Sequence, residues 1–267
     1  MQQELQIAVE AAQRAGKIIL RKFGELSKSA IHPKEYKDFV TDIDHESESA
    51  IMDIISRAFP RDGFLCEESG DREGASGRRW IIDPLDGTLN FIHSFPVFSV
   101  SIALEGADGE LAAAVIYQPL QEELFTATRG EGAKLNGASI SVSDRHDPQH
   151  LLIATGIPFK EYHYLDEYVA MLKDVARDSA GIRRAGSAAI DLAYTACGRF
   201  DGFFEYKIFP WDYAAGVLLV REAGGIVTGF DGAHDVFRHH SIIAGNPVTH
   251  PMLREKAKKH FTQNLLS

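Results

Sequence analysis

The nine residues Trp80-Ile81-Ile82-Asp83-Pro84-Leu85-Asp86-Gly87-Thr88 constrain this chain more than any other stretch. A short apolar run with an aromatic start reads as a buried strand, because both of its faces must meet other side chains. The run ends in an acid, and Pro84 has no N–H to give a neighbouring strand, so the ladder is expected to stop there. Proline also drives the residue before it toward extended geometry, which places Asp83 at the C-terminal tip. Asp86-Gly87-Thr88 then reads as a turn opening a helix, with an acidic cap and backbone N–H groups left unpaired. Two carboxylates on a rigid tip beside a helix N-terminus suit a hard cation and a phosphate together. The plainer reading is that Asp83 and Asp86 only cap a turn, since Asp and Gly are common turn residues.

The composition narrows the class. The chain has 267 residues, 45% hydrophobic and 25% charged, which fits one large domain or two intimately packed halves. Its net charge is −10, which argues against direct nucleic-acid binding and is unhelpful to an anionic substrate unless bound cations reverse the local field. Cys66 and Cys197 are too few for a disulfide framework, and no base stands near Cys66 in sequence to activate it. No signal pattern and no membrane-length apolar stretch is present, so a soluble cytoplasmic protein with no membrane partner is expected.

Leu5, Ala8, Ala11, Ala12, Ala15, Ile18 and Ile19 recur at helical spacing and predict an amphipathic helix ending near Gly24. Thr41 or Asp42 caps a second helix that stops at Pro60, and Asp38, Asp42 and Asp44 are candidates for an acidic site near its start. Phe64-Leu65-Cys66 reads as a strand leading into Glu67-Glu68, followed by a polar surface loop from Ser69 to Arg79. Alternation over Val97–Leu104, further runs at Leu111–Tyr117 and Glu123–Thr128, and the Asn136-Gly137 turn predict a largely antiparallel sheet. A second half begins at Leu151–Thr155. Ser187 is a plausible cap after the Gly186 turn, and Glu205 tips a strand much as Asp83 does. Asp212 is placed to cap the helix opened by Pro210-Trp211, and a final helix is expected from about Pro251. His234, His239 and His240 lack the partners that complete a zinc site.

The acids at element ends are Glu67, Asp83, Asp86 and Asp212, an oxygen-only set that favours magnesium, calcium or manganese over zinc. Magnesium retains waters and bridges to phosphate, and two such ions can clamp an in-line displacement, one activating the attacking water. The Gly87 and Thr88 amides are expected to meet phosphoryl oxygens. The inferred chemistry is magnesium-dependent phosphate-ester hydrolysis without a covalent intermediate.

Glu67-Glu68, Asp83-Pro84-Leu85-Asp86-Gly87-Thr88 and Trp211-Asp212-Tyr213-Ala214-Ala215-Gly216 resemble the inositol monophosphatase signatures in order and spacing. The resemblance runs from Asp38-Phe39-Val40-Thr41 to Ala244-Gly245-Asn246-Pro247. It is closest to the bacterial inositol-1-monophosphatase branch, through Thr155-Gly156-Ile157-Pro158-Phe159 and the Gly186–Glu205 segment.

The resemblance implies an α+β fold, a layered α-β-α-β-α sandwich of the inositol monophosphatase and fructose-1,6-bisphosphatase type. Residues 1–148 would form an N-terminal half carrying most metal ligands, and 149–267 a C-terminal half supplying Asp212 and substrate contacts. It also implies a homodimer, two to three Mg2+ ions and inhibition by Li+. Glu67, Asp83 and the Leu85 carbonyl would hold one ion, Asp83, Asp86 and Asp212 a second, and Glu67 with waters a weaker third. Asp44 and Thr88 match the pair that orients the nucleophilic water, and Gly87 and Thr88 match the phosphate-binding amides. Glu205 and the Gly186-Ser187-Ala188 turn match the region that contacts the alcohol. Lys34 and Lys37 both stand where the family often has a lysine. The implied activity is an inositol-phosphate phosphatase acting on a small phosphorylated polyol. Fructose-1,6-bisphosphate, histidinol phosphate, NADP and nucleotide 3′-phosphates are rival substrates, and no basic or aromatic residues are assigned to an adenosine pocket. A reading of another class is a regulatory scaffold, docked on transcription or RNA-processing machinery, with incidental catalysis.

Overall fold

The computed structural model describes residues 1–25, 31–35, 38–158, 162–238 and 240–261. Helix α1 (Gln2–Leu20) buries Ala8, Ala11, Ala12, Ala15, Ile18 and Ile19 along one stripe, as their three- and four-residue spacing requires. A short hairpin follows, β1 (Ile31–Glu35) against β2 (Asp38–Thr41). Lys37 and Phe159 lie outside the described residues, as do the side chains of Lys34 and Asp38. Helix α2 (Asp42–Ala58) packs on α1.

An eight-stranded sheet is built from β3 (Gly63–Cys66), β4 (Gly70–Arg72), β5 (Arg79–Asp86), β6 (Ser99–Glu105), β7 (Leu111–Gln118), β8 (Glu123–Thr128), β9 (Gly132–Leu135) and β10 (Ala138–Ile140). Its order is β10-β9-β8-β7-β6-β5-β3-β4, and every pairing is antiparallel except β3 with β5. The polar segment after Ser69 is therefore not only a loop. Gly70–Arg72 pairs with β3 as an edge strand, where exposed side chains are tolerated because one side of the strand faces water.

Between β5 and β6 the short helix α3 (Thr88–Ile92) is inserted. The second sheet contains β11 (Leu152–Thr155), β12 (Gly181–Arg183), β13 (Gly202–Tyr206), β14 (Ile226–Thr228) and β15 (Ser241–Gly245), in the order β12-β11-β13-β15-β14. Its helices are α4 (Leu165–Arg177), α5 (Ala188–Ala196), α6 (Pro210–Glu222) and α7 (Thr249–His260). The last begins two residues before Pro251.

Five layers result. Helices α1 and α2 cover one face of the first sheet, α5 and α6 fill the space between the sheets, and α4 and α7 cover the far face of the second. Alternation along the strands sorts the side chains. Trp80, Ile82, Ile102 and Leu104 point toward α1 and α2, while Ile81, Ala103, Ala114 and Ile116 join the central core with α6. Leu151, Ile153, Tyr168, Phe204 and Leu253 close the third cluster. The expected α+β sandwich of alternating layers is the fold observed. Among the described residues no helix is long and apolar enough to cross a membrane.

Candidate active site

Strands β3 and β5 run parallel, with Cys66 opposite Ile82, so they end at the same edge. The Glu67 N–H extends the pairing by donating to the Ile82 carbonyl at 3.2 Å, which brings Glu67 beside the Ile82-Asp83 end of the ladder. The ladder does not stop at Pro84. Pairing lapses after Asp83 opposite Ser101 and resumes at Asp86 opposite Ser99, because one missing N–H produces a local irregularity rather than an end. Within it, the Leu85 N–H donates to Asp83 Oδ1 at 2.9 Å, so Asp83 does cap its own turn.

Asp86 does not cap α3. Gly87 holds that position with φ +97°, and a Cβ there would stand 2.9 Å from the Val97 carbonyl oxygen, so the turn requires glycine. Asp86 instead reaches across the molecule. Its Oδ2 accepts from the Ser187 hydroxyl at 2.6 Å and the Ala189 N–H at 2.7 Å. It thus sits on the N-terminus of α5, where unpaired amides and the helix dipole favour an anion. Ser187 caps α5 as expected, accepting from the Ile190 N–H. Asp212 stands in the first turn of α6, and its Oδ2 accepts from the Phe209 N–H at 2.6 Å. It reaches back from inside the helix to the cap residue's amide, half of a capping box, rather than occupying the cap position itself.

Thr41 caps α2, and Asp44 completes the reciprocal bond: Asp44 Oδ2 accepts from the Thr41 N–H at 2.8 Å and the Thr41 hydroxyl at 2.6 Å. Asp44 Oδ1 remains for the Thr88 hydroxyl, 3.0 Å away, which also lies 3.0 Å from the Leu85 carbonyl. Burial pushes the Asp44 carboxyl up to about 6, the Thr41 donors opposing and the charge of Glu68 adding to the rise.

Burial also holds Asp83 well above the ordinary carboxylate range, and the charges of Glu67, Asp86 and Asp212 press it further in that order. Asp86 is pushed up to about 6 by burial, against the pull of Ser187 and the Ala188 and Ala189 amides. Asp83 thus feels three other acids, although Asp212 follows it in sequence by nearly half the chain. Among the described residues no group of three or more His, Cys, Asp or Glu side chains is gathered closely enough to hold an ion as it stands. The donor chemistry nevertheless fits a hard divalent cation. The set is all oxygen, and a cation would relieve the repulsion that now raises Asp83. His240 Nδ1 lies 3.2 Å from the Ile208 carbonyl, a structural contact rather than a metal one.

The opposite wall is formed by Gly186 and Glu205. Asn90 Nδ2 donates toward the carbonyls of Val97 at 2.7 Å, Ala185 at 2.9 Å and Gly186 at 3.3 Å, pinning this turn to the segment that follows Gly87. Gly156 packs on Glu205 so closely that a Cβ would fall 1.8 Å from Oε1. Burial pushes Glu205 up to about 8, with Arg184 opposing and Asp86 adding. Behind it Asp191 is 1% exposed, and its Oδ1 accepts no hydrogen bond. Sequence reasoning gave no role to Asn90, Gly156 or Asp191. Asn90 offered one hint, an amide two residues past the turn, but two of its three partners lie 95 and 96 positions away.

The inositol monophosphatase family profile matches residues 1–263. Nus factor SuhB of Escherichia coli K12 is 47% identical over 244 residues, 91% of either chain. Inositol-1-monophosphatase of Mesorhizobium japonicum is 43% identical over 256 residues, 96% of either chain. The crystal structure of extragenic suppressor protein suhB from Bartonella henselae superposes with a TM-score of 0.91 at 45% identity, covering 95% of this chain and 98% of that one. The chain belongs to the inositol monophosphatase family, and it is a phosphatase of that family. The family generally depends on magnesium.

Proposed function

We propose that this phosphatase hydrolyses inositol-1-phosphate, and related polyol or sugar phosphates, to the alcohol and inorganic phosphate. The observation that carries the reading is that buried Asp83 feels the charges of Glu67, Asp86 and Asp212 together, a few residues before Thr88, which donates toward Asp44. Glu67, Asp83 and the Leu85 carbonyl would hold one magnesium ion, Asp83, Asp86 and Asp212 a second, and Glu67 a third. When bound, magnesium supplies positive charge to the phosphoryl oxygens and lowers the pKa of water. The chain's own residues do the positioning. Thr88 and Asp44 orient the water that attacks phosphorus, and the Gly87 and Thr88 amides hold phosphoryl oxygens. Gly186, Ser187, Ala188 and Glu205 bound the space for the alcohol. Lithium inhibits by competing for a magnesium position, and the active form is a homodimer in the cytoplasm.

The test is a screen of phosphomonoesters with magnesium, with and without lithium, on the native protein and Asp83→Asn. Inositol-1-phosphate should be among the best substrates, lithium should inhibit, and Asp83→Asn should lose turnover by orders of magnitude while keeping its circular dichroism. Near-native turnover of Asp83→Asn in magnesium would show the metal assignment to be wrong.

A second reading is supported by the name Nus factor borne by relatives such as that of Escherichia coli. On it, the protein also serves as a transcription-associated scaffold. A cellular phenotype that survives Asp83→Asn would favour this role, and one lost together with hydrolysis would favour catalysis.

A further inference from the structure

Phe209 is a large apolar side chain left 45% exposed, although it adjoins one of the most polar regions of the protein. Its backbone N–H donates to Asp212 Oδ2 at 2.6 Å, so the ring is rooted one hydrogen bond from a candidate metal-binding acid. The ring is not loose. It stacks on Trp211 with centroids 5.1 Å apart and planes 14° from parallel. Trp211 in turn packs partly against the central core, and its carbonyl accepts from the Ser101 hydroxyl at 3.2 Å. His240 meets the same ring edge-on, 5.5 Å between centroids at 66°. Trp211 stacks on Phe209 and His240 stands at a steep angle to it, and with both contacts made Phe209 still keeps 45% of its surface exposed.

The backbone beneath this shelf is held in an uncommon form. Lys207 and His240 have φ of +64° and +47°, left-handed values that are uncommon outside glycine. They are tied to each other: the His240 carbonyl accepts from the Lys207 N–H at 2.7 Å and the Ile208 N–H at 3.3 Å. His240 Nδ1 lies 3.2 Å from the Ile208 carbonyl. Left-handed non-glycine residues persist where surrounding contacts over-determine them, and they cluster at ligand clamps.

We propose that Phe209 is a specificity-determining residue whose ring is a shelf for the flat face of a cyclic leaving alcohol. This rests on the phosphatase reading above and names the leaving group that site prefers. An aromatic face attracts another flat, weakly polar surface, either the C–H face of an inositol or sugar ring or the face of a nucleobase. An acyclic alcohol such as glycerol has no such face. The aromatic residue that an adenosine-type substrate needs, unassigned from the sequence, is thus present at the rim.

The experiment compares kcat/KM for inositol 1-phosphate, adenosine 2′-monophosphate and glycerol 2-phosphate in the native protein, Phe209→Leu and Phe209→Tyr. Leucine keeps the bulk and loses the flat face, whereas tyrosine keeps the face. The ratio of cyclic to acyclic kcat/KM should fall about three- to ten-fold in Phe209→Leu, mainly through KM, and stay within about twofold in Phe209→Tyr. The cyclic substrate whose ratio falls identifies the ring the shelf takes. Thermal melts confirm that each variant folds, and Phe209→Ala replaces leucine if that variant does not. An unchanged ratio in the variant lacking the face, or an equal loss in tyrosine, overturns the proposal. So does an unchanged ratio with a shift to smaller species on gel filtration, which assigns the ring to a subunit contact. Native protein inactive on all three esters overturns the phosphatase reading itself, and the shelf with it.

Discussion

Thr88 and Asp44, 44 residues apart, meet with the threonine hydroxyl 3.0 Å from Asp44 Oδ1. The same hydroxyl lies 3.0 Å from the Leu85 carbonyl, and one O–H has one proton to give. The pair thereby links the start of α2 to the Asp86-Gly87-Thr88 turn. If it orients the attacking water, Asp44→Asn and Thr88→Ala should each lower kcat by about 10²–10⁴-fold, with much smaller changes in KM. The double variant should lose little more than the worse single one, because both act on one water. Steady-state kinetics at saturating magnesium decide this. Losses that multiply would place the two residues in separate roles.

Asn90 makes a different kind of link. Its amide nitrogen donates toward three carbonyls, two of them in the Ala185-Gly186 turn of the other half of the chain. Asn90→Ala leaves these acceptors without a protein donor and should cost about 1–3 kcal/mol of stability. On the proposed function, in which this turn bounds the alcohol and not the reacting phosphorus, it should raise KM more than it lowers kcat. Urea unfolding with kinetics on the same preparation checks both parts. Unaltered stability would mean that water replaces the amide and the clamp is dispensable.

These cross-links also show what a sequence can and cannot reveal. The Trp80–Thr88 stretch announced a buried strand, an acid and a glycine turn because strand, proline and glycine rules act on neighbouring residues. The helical stripe of α1, a cap at Thr41 or Asp42 and the Ser187 cap were legible for the same reason. Asp86 was misread as a cap of its own helix. Its real partners, Ser187 and Ala189, lie 101 and 103 residues away, and only folding brings them together. The edge strand Gly70–Arg72 was hidden because its polar residues pair through backbone groups, to which side-chain patterns are blind. The layered arrangement came from family resemblance, not from periodicity, which does not say which sheet face a helix covers.

Gly156 tests the proposed part of Glu205 in recognising the alcohol. A Cβ at this position would lie 1.8 Å from Glu205 Oε1, so Gly156→Ala must displace the carboxylate. It should mimic Glu205→Ala in altering substrate choice, both lowering kcat/KM for inositol 1-phosphate more than for phenyl phosphate, which offers no hydroxyl. The magnesium concentration for half-maximal rate should move less than the selectivity does. Equal losses on both esters in Glu205→Ala would remove Glu205 from alcohol recognition.

The raised acids fix how stability responds to pH and metal. Burial lifts Asp44 from an ordinary 3.8 to about 6, and Glu205 from 4.5 to about 8. Each binds its proton more tightly in the folded protein than in the unfolded chain. Their contribution is therefore most favourable below the ordinary carboxylate values. It is lost as pH rises, between 3.8 and about 6 for Asp44 and between 4.5 and about 8 for Glu205. Asp83, also raised, acts in the same sense. Metal-free protein in a chelator should thus melt at a higher temperature at pH 5 than at pH 8. Magnesium binding to the folded state should reverse much of that loss, with the larger gain at pH 8, where the ligand acids give up their protons most readily. Calorimetric melts at the two pH values, with chelator and with magnesium, measure all four quantities. A chelated protein that melts higher at pH 8, or a magnesium gain larger at pH 5, would contradict the idea that these buried acids are strained without a cation.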